Sequence, residues 1–210
     1  MSYKLSGSEP SRTTYYNSAP PLIRNNCMAY AFQERGKVDG YKQQPGDKSG
    51  FRGNVNLKNC TDIRRLILRD YPGLYAQNNP KIPCKKGFSK IMAFIAPNRD
   101  FHFYRMDNNG LWSHKRGLTK VMTKDACDKN ITDPRRSCRK FDEELNYTMS
   151  CGTYCTKSKL KRKIKNRKDT NVTNTQKKQG KEKTNTNGKV QKQGAAKVRR
   201  SAPRPRRRQT

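Results

Sequence analysis

Acidic residues are scarce in this chain: 16 Asp and Glu stand against 48 Lys and Arg among 210 residues, a formal net charge of +32. A surface so one-sided excludes an ordinary near-neutral enzyme and calls for an acidic partner. Hydrophobic residues are also few, at 31% with a mean hydropathy of −1.18, well below the apolar share of a packed domain. The whole length therefore cannot share one core, and part of it is expected to be disordered or bound to something acidic. No apolar run reaches the roughly 18 residues that a membrane-spanning helix requires, so no transmembrane segment is expected. Residues 1–20 lack the apolar stretch of a secretory leader, which predicts a soluble chain made without one. Glycine-rich phosphate loops, catalytically spaced carboxylate pairs and heptad repeats are missing as well. Phosphate transfer and coiled-coil roles drop out, and neither a cofactor nor a metal is expected.

What is present divides after Cys155. Residues 156–210 hold 21 Lys and Arg against Asp169 and Glu182, a net of +19, with no aromatic residue. Residues 1–155 carry a net of +13 and every Phe, Tyr, Trp, His and Cys. Three parts are therefore expected: an extended arm over 1–20, an α+β domain over 21–155, and a disordered, basic, low-complexity tail over 156–210. Within the tail, Lys159, Lys161, Arg162, Lys163, Lys165, Arg167 and Lys168 form one cluster, and Arg199, Arg200, Arg204, Arg206, Arg207 and Arg208 form another. Such clusters bind nucleic acid through its phosphates without reading bases, bind neighbouring protein subunits, or serve as nuclear-import signals. Extended, the tail would reach on the order of 180 Å at about 3.3 Å per residue.

In the folded part, Asn25-Asn26 caps a helix that holds Cys27, Met28, Ala29, Ala31 and Phe32 and is expected to end at Gly36. Residues 40–56, with Pro45-Gly46-Asp47, carry turn chemistry and are expected to form a surface loop. A second helix runs from an Asn59 or Thr61 cap through Ile63, Leu66 and Ile67 to the stop at Asp70-Tyr71-Pro72-Gly73. Strands are expected at 90–96, 101–107 and 111–114, with Val121-Met122 and 147–155 as edge strands and an irregular stretch over 128–144.

Cys27 stands where a helix begins, a place whose partial positive charge favours a thiolate. The histidines, His102 and His114, both belong to the hairpin around Asn108-Asn109-Gly110, so any general base for Cys27 is one of these two. A three-residue loop sets Tyr104 opposite His114 and puts both histidines on one sheet face. A two-residue turn shifts the register by one and sends them to opposite faces. The competing reading makes Cys27 a small buried hydrophobe and the histidines satisfied core residues.

The segments Asn26-Cys27-Met28-Ala29-Tyr30-Ala31, Pro45-Gly46-Asp47, Phe101-His102-Phe103-Tyr104-Arg105-Met106-Asp107, Gly110-Leu111-Trp112-Ser113-His114-Lys115, Asp133-Pro134 and Cys151-Gly152-Thr153-Tyr154-Cys155 resemble an uncharacterised family. Its members occur in large DNA viruses and in bacteria. The resemblance spans residues 25–155, departs at Met28 and at Arg116-Gly117, and is similar in element order to papain-like cysteine amidopeptidases. It implies a papain-like α+β fold with Cys27 as nucleophile, His102 as base and His114 as orienter. It also implies a giant-virus, chlorovirus-like protein, either a minor capsid component or another part of the virion.

Seven cysteines, at 27, 60, 84, 127, 138, 151 and 155, leave at least one unpaired. A reducing compartment favours thiols, whereas an assembled virion would hold disulfides among Cys84, Cys127, Cys138, Cys151 and Cys155. Cys151 and Cys155 alone would supply only half of a zinc site. The function that best accounts for the charge is a virion structural protein, made in the host cytoplasm or nucleus, whose partners are capsid proteins and nucleic acid. The alternatives are a Cys–His amide hydrolase of peptidoglycan or peptides, and a histone-like DNA condenser.

Overall fold

The computed structural model describes residues 3–11 and 14–159. Its elements are a 3₁₀ turn at Thr14–Asn17, helices α1 (Pro21–Arg24), α2 (Cys27–Ala31) and α3 (Thr61–Asp70), and strands β1 (Tyr75–Ala76), β2 (Phe88–Ala96), β3 (Asp100–Met106), β4 (Trp112–Lys115), β5 (Val121–Met122) and β6 (Met149–Lys157). Short helices thus accompany one six-stranded antiparallel sheet in the order β1-β6-β2-β3-β4-β5. The mixed α and β composition expected from the sequence is present.

Alternation along the central strands makes two cores. Ile91, Ala93 and Ile95 of β2, with Phe101 and Phe103 of β3, face α2 and α3 and meet Cys27, Met28, Ile63 and Ile67. Met92, Phe94 and Ala96, with Tyr104, Met106 and Trp112, face the other way and are covered by Tyr3, Ile131 and Tyr147. Side chains two apart share a face of a pleated strand, so one sheet supports both cores. The irregular segment 123–147 supplies the second cover, with bridges only at Lys124–Asn130 and Lys140–Asn146.

Three expectations change. The first helix stops at Ala31 instead of Gly36, because Gln33 turns into a left-handed conformation with φ 56°. Gly36 instead passes so close to Arg24 that a Cβ would stand 1.7 Å from its carbonyl oxygen. The described part of the 1–20 arm, expected to be extended, turns at Thr14–Asn17 and packs on the domain: Tyr3 and Tyr16 are buried, Tyr3 meets Trp112 edge-on at 5.4 Å, and Ser6 Oγ donates to the Phe88 carbonyl at 2.6 Å. The third change concerns β6, read as an edge strand but lying between β1 and β2.

Disulfides fix β6 in that interior position. Its register against β2 steps from Gly152 to Ser150 while β2 advances from Ala93 to Phe94, so Cys151 is the extra residue of a bulge. Released from the ladder, Cys151 bonds Cys60 at the start of α3, and its carbonyl accepts from Arg64 Nε at 3.0 Å and Tyr154 Oη at 2.8 Å. Cys155 bonds Cys84 ahead of β2. Cys127 bonds Cys138 within the cover of the second core.

Candidate functional site

Asn26 caps α2 as the sequence suggested, its Oδ1 accepting from Ala29 N at 3.1 Å. Cys27 follows, 5% exposed, and its Sγ lies 3.8 Å from the Phe101 carbonyl oxygen. Burial, then the neighbouring Asp100 carboxylate, pushes this thiol up to about 12. An α2 of five residues offers little dipole against that desolvation. At neutral pH Cys27 is a protonated thiol.

The hairpin takes the three-residue loop. Asp107 N donates to Leu111 O at 2.8 Å and Tyr104 stands opposite His114, with Gly110 at φ 79° closing the turn. Both histidines therefore lie on one face, and His102 Nε2 is 2.8 Å from His114 Nδ1. His114 Nε2 is 3.1 Å from the Lys124 carbonyl oxygen. A carbonyl only accepts, so Nε2 of His114 carries hydrogen, its Nδ1 accepts, and His102 Nε2 donates. Tyr104, Phe141 and Tyr147 surround the two rings. Burial and the proximity of His114 and Arg116 hold His102 well below the usual histidine range. Burial lowers His114 to about 4. The pair is neutral and closed.

This pairing also separates the histidines from the cysteine. Cys27 packs with Phe101 and Phe103 on the helix side. His102, between those two on β3 and opposite Phe94, leaves the other face with Tyr104. The sheet brings His102 and His114 together and keeps Cys27 away from both, which corrects the expected Cys27–His102–His114 arrangement. The reason is strand parity: a carbonyl of β3 reaches Cys27 where the alternating side chain does not.

The motif around the histidines has a structural use. Arg105 is 1% exposed and lies 3.9 Å over the Tyr30 ring. It donates to the carbonyls of Tyr30 at 3.3 Å and Ser11 at 3.2 Å and to Asp107 Oδ1 at 3.2 Å. One guanidinium thereby ties the arm and α2 to the sheet. Two buried carboxylates do comparable work in loops that the sequence left irregular. Asp70 accepts from Gly46 N at 2.6 Å and Ser49 N at 2.9 Å. Asp125 accepts from Cys127 N, Lys129 N and Cys138 N at 2.9, 2.9 and 3.0 Å. Asp125 stands two residues before Cys127, a local signal, whereas Asp70 bonds Gly46 and Ser49 from another part of the chain and has none.

Cys151 and Cys155 are both disulfide-bonded to other residues, so neither is a zinc thiolate. Asp125, Cys127 and Cys138 place ligand atoms within 4.8 Å of one another, but the two sulfurs are bonded to each other. The expected tail begins inside β6, which runs to Lys157, and of its candidate binding residues Lys159 is described: its N donates to Gln33 Oε1 at 3.2 Å and its Nζ pairs with Glu34. Lys161, Arg162, Lys163, Lys165, Arg167, Lys168, Arg199, Arg200, Arg204, Arg206, Arg207 and Arg208 lie outside the described residues. No described helix is long and apolar enough to cross a membrane.

No protein-family model matches the chain, and no solved structure matches it. Over 125 residues the chain is 36% identical to insoluble matrix shell protein 1 of Ruditapes philippinarum, a match that covers 59% of this chain and 77% of that protein.

Proposed function

The chain belongs to the family of insoluble matrix shell protein 1, and from that premise we propose that it is a non-catalytic structural component of an insoluble, oxidised assembly, held to acidic neighbours by its basic surface. The observation that carries this reading is the disulfide framework. Six of seven cysteines are paired, and two of the bridges clamp the interior strand β6 at Cys151 and Cys155. A module that persists in an oxidising, cross-linked setting needs that reinforcement. The seventh cysteine, Cys27, is buried as a thiol. In this reading the papain-like order of a helix-borne Cys and strand-borne His is an enzyme-type scaffold used for architecture.

A virion of a large DNA virus is a second setting for the same module, because assembled particles hold disulfides and the tail would meet nucleic acid or capsid neighbours. Recovery of the chain from purified particles would favour it. The test of the structural reading mixes the oxidised full chain with a sulfated polysaccharide and, separately, with duplex DNA, and follows co-sedimentation. It runs alongside an assay for amide cleavage of peptidoglycan and casein. The reading expects salt-sensitive co-sedimentation with the polysaccharide and no cleavage. Thiol-dependent cleavage abolished by Cys27→Ala would replace it with the hydrolase, and condensation of DNA in preference to the polysaccharide would replace it with the DNA-packaging reading.

A further inference from the structure

Phenol rings are withdrawn from solvent almost throughout this chain. All ten tyrosines are described: six are buried, Tyr15, Tyr71 and Tyr75 are half-buried, and Tyr41 is 50% exposed. Each half-buried ring has a covered face. Phe32 stacks on Tyr71 at 3.8 Å, Lys85 Nζ lies 5.6 Å over Tyr75, and the Arg35 guanidinium lies 5.1 Å over Tyr15. Trp112 and the Cys27 thiol, which also yield coupling radicals, are buried. One-electron oxidation from solvent therefore converges on Tyr41.

The surroundings of Tyr41 suit that chemistry. Its Oη donates to Asp47 Oδ2 at 2.5 Å, and Gln44 N, donating to the same oxygen at 2.6 Å, holds the carboxylate in place. The bond to Asp47 pushes the phenol up to about 12. At neutral pH the ring is thus protonated and must lose a proton as it loses an electron. Asp47 is the base positioned to take it. Val38, and Ile23 whose carbonyl accepts from Gly40 N at 2.8 Å, are 61% and 41% exposed. A cleft of about 310 Å³, lined by Gly36, Val38, Tyr41 and Gln43 among others, opens beside them. Residues 34–48 hold four basic residues against three acids. In a chain of +32 this is a nearly balanced stretch, where two copies meet with little of the repulsion that the rest of the surface exerts.

We propose that Tyr41 is an oxidative joint, coupling through its ring to Tyr41 of a second copy of this chain. The proposal rests on the structural reading and supplies a covalent link for it. A haem peroxidase working with hydrogen peroxide takes one electron from each phenol while Asp47 of the same chain accepts the Oη proton. The two radicals form a carbon–carbon bond between ring positions ortho to the oxygens. Each of those carbons then loses its hydrogen as a proton, and each oxygen is reprotonated as the ring regains aromaticity. In sum, two tyrosines and one hydrogen peroxide give one dityrosine and two waters. One coupling tyrosine per chain stops the product at a dimer.

The test treats the oxidised full chain with a haem peroxidase and hydrogen peroxide, in about 0.5 M salt to shorten charge repulsion to a few ångström. Dityrosine fluorescence is expected, with a dimer that resists thiol reductant and weighs twice the chain less two hydrogens. Tryptic peptide 38–42 is expected to be joined to its own copy. Tyr41→Phe is expected to lose the dimer, whereas Tyr15→Phe and Tyr75→Phe keep it. Asp47→Asn is expected to slow coupling without changing the product. A dimer or a ladder of oligomers that survives Tyr41→Phe, a linked peptide from another tyrosine, or a chain that stays monomeric would overturn the joint. An unchanged rate in Asp47→Asn would overturn the role of that carboxylate as proton acceptor. Co-sedimentation with the polysaccharide needs no oxidation, so a chain that stays monomeric leaves the structural reading standing, whereas amide cleavage would remove that reading with the coupling intact.

Discussion

His102 donates from Nε2 to Nδ1 of His114 across 2.8 Å, and His114 donates from Nε2 to the Lys124 carbonyl. This chain of neutral rings, sealed under Phe141 and Tyr147, links β3, β4 and the cover of the second core. Protonating His114 at Nδ1 leaves two donors facing each other, and protonating His102 buries a charge among aromatic rings.

Stability should therefore fall in acid. Both folded-state values lie below the ordinary 6.5, with His114 at about 4, so the unfolded chain binds more protons between those limits. The contribution is complete above about pH 6.5 and is lost as the pH falls toward 4, by about 3 kcal/mol for His114 alone. Denaturant unfolding at pH 7, 5.5 and 4 measures the slope. A flat profile would mean that the pair is open to solvent or already charged.

Cys60–Cys151 encloses a sequence separation of 91 residues and Cys127–Cys138 one of 11. Removing each bridge as a paired Cys→Ala variant should cost about 5 and about 3 kcal/mol respectively, if constraint of the unfolded chain dominates. Cys127 is exposed while Cys60 and Cys151 are buried. Mild thiol reductant, followed by mass-tagging, should open 127–138 first. Earlier labelling of Cys60 or Cys151 would contradict the described burial.

Arg105→Ala takes a buried guanidinium away from three acceptors and leaves Asp107 without that cation. Breaking a buried ion pair from one side costs about 3–5 kcal/mol. The arm should loosen with it, which limited proteolysis near Ser11 would detect. Retention of full stability would show that Arg105 is not the tie between arm and sheet.

How far the sequence reaches is clearest at these residues. The helix start at Cys27 was legible from its Asn26 cap, and the one near Thr61 from apolar spacing, although Cys60 stands at the N-cap without a side-chain bond where Asn59 or Thr61 was expected. The histidine pair was legible only as one of two alternatives, since Asn108-Asn109-Gly110 suits both turn lengths and the Asp107–Leu111 bond decides between them. The direction of the Cys27 thiol was not legible. It depends on which face of β3 meets α2, a tertiary fact that helix position does not carry. β6 reads as an edge strand, and its interior place comes with the Cys151 bulge and two long-range disulfides, which no local pattern carries. The Asp70-braced loop shows the same limit: turn chemistry predicted its irregularity but not its fixed shape.

Alkylation of Cys27 tests the central claim most directly. In the oxidised full chain at pH 7, Cys27 is the one free cysteine, and iodoacetamide labelling followed by mass spectrometry reads it without interference. A buried thiol pushed up to about 12 should stay unlabelled until denaturant unfolds the domain. Stoichiometric labelling of the native chain at neutral pH, with a midpoint well under the ordinary cysteine value of about 8.5, would reveal an activated thiolate and contradict the structural account.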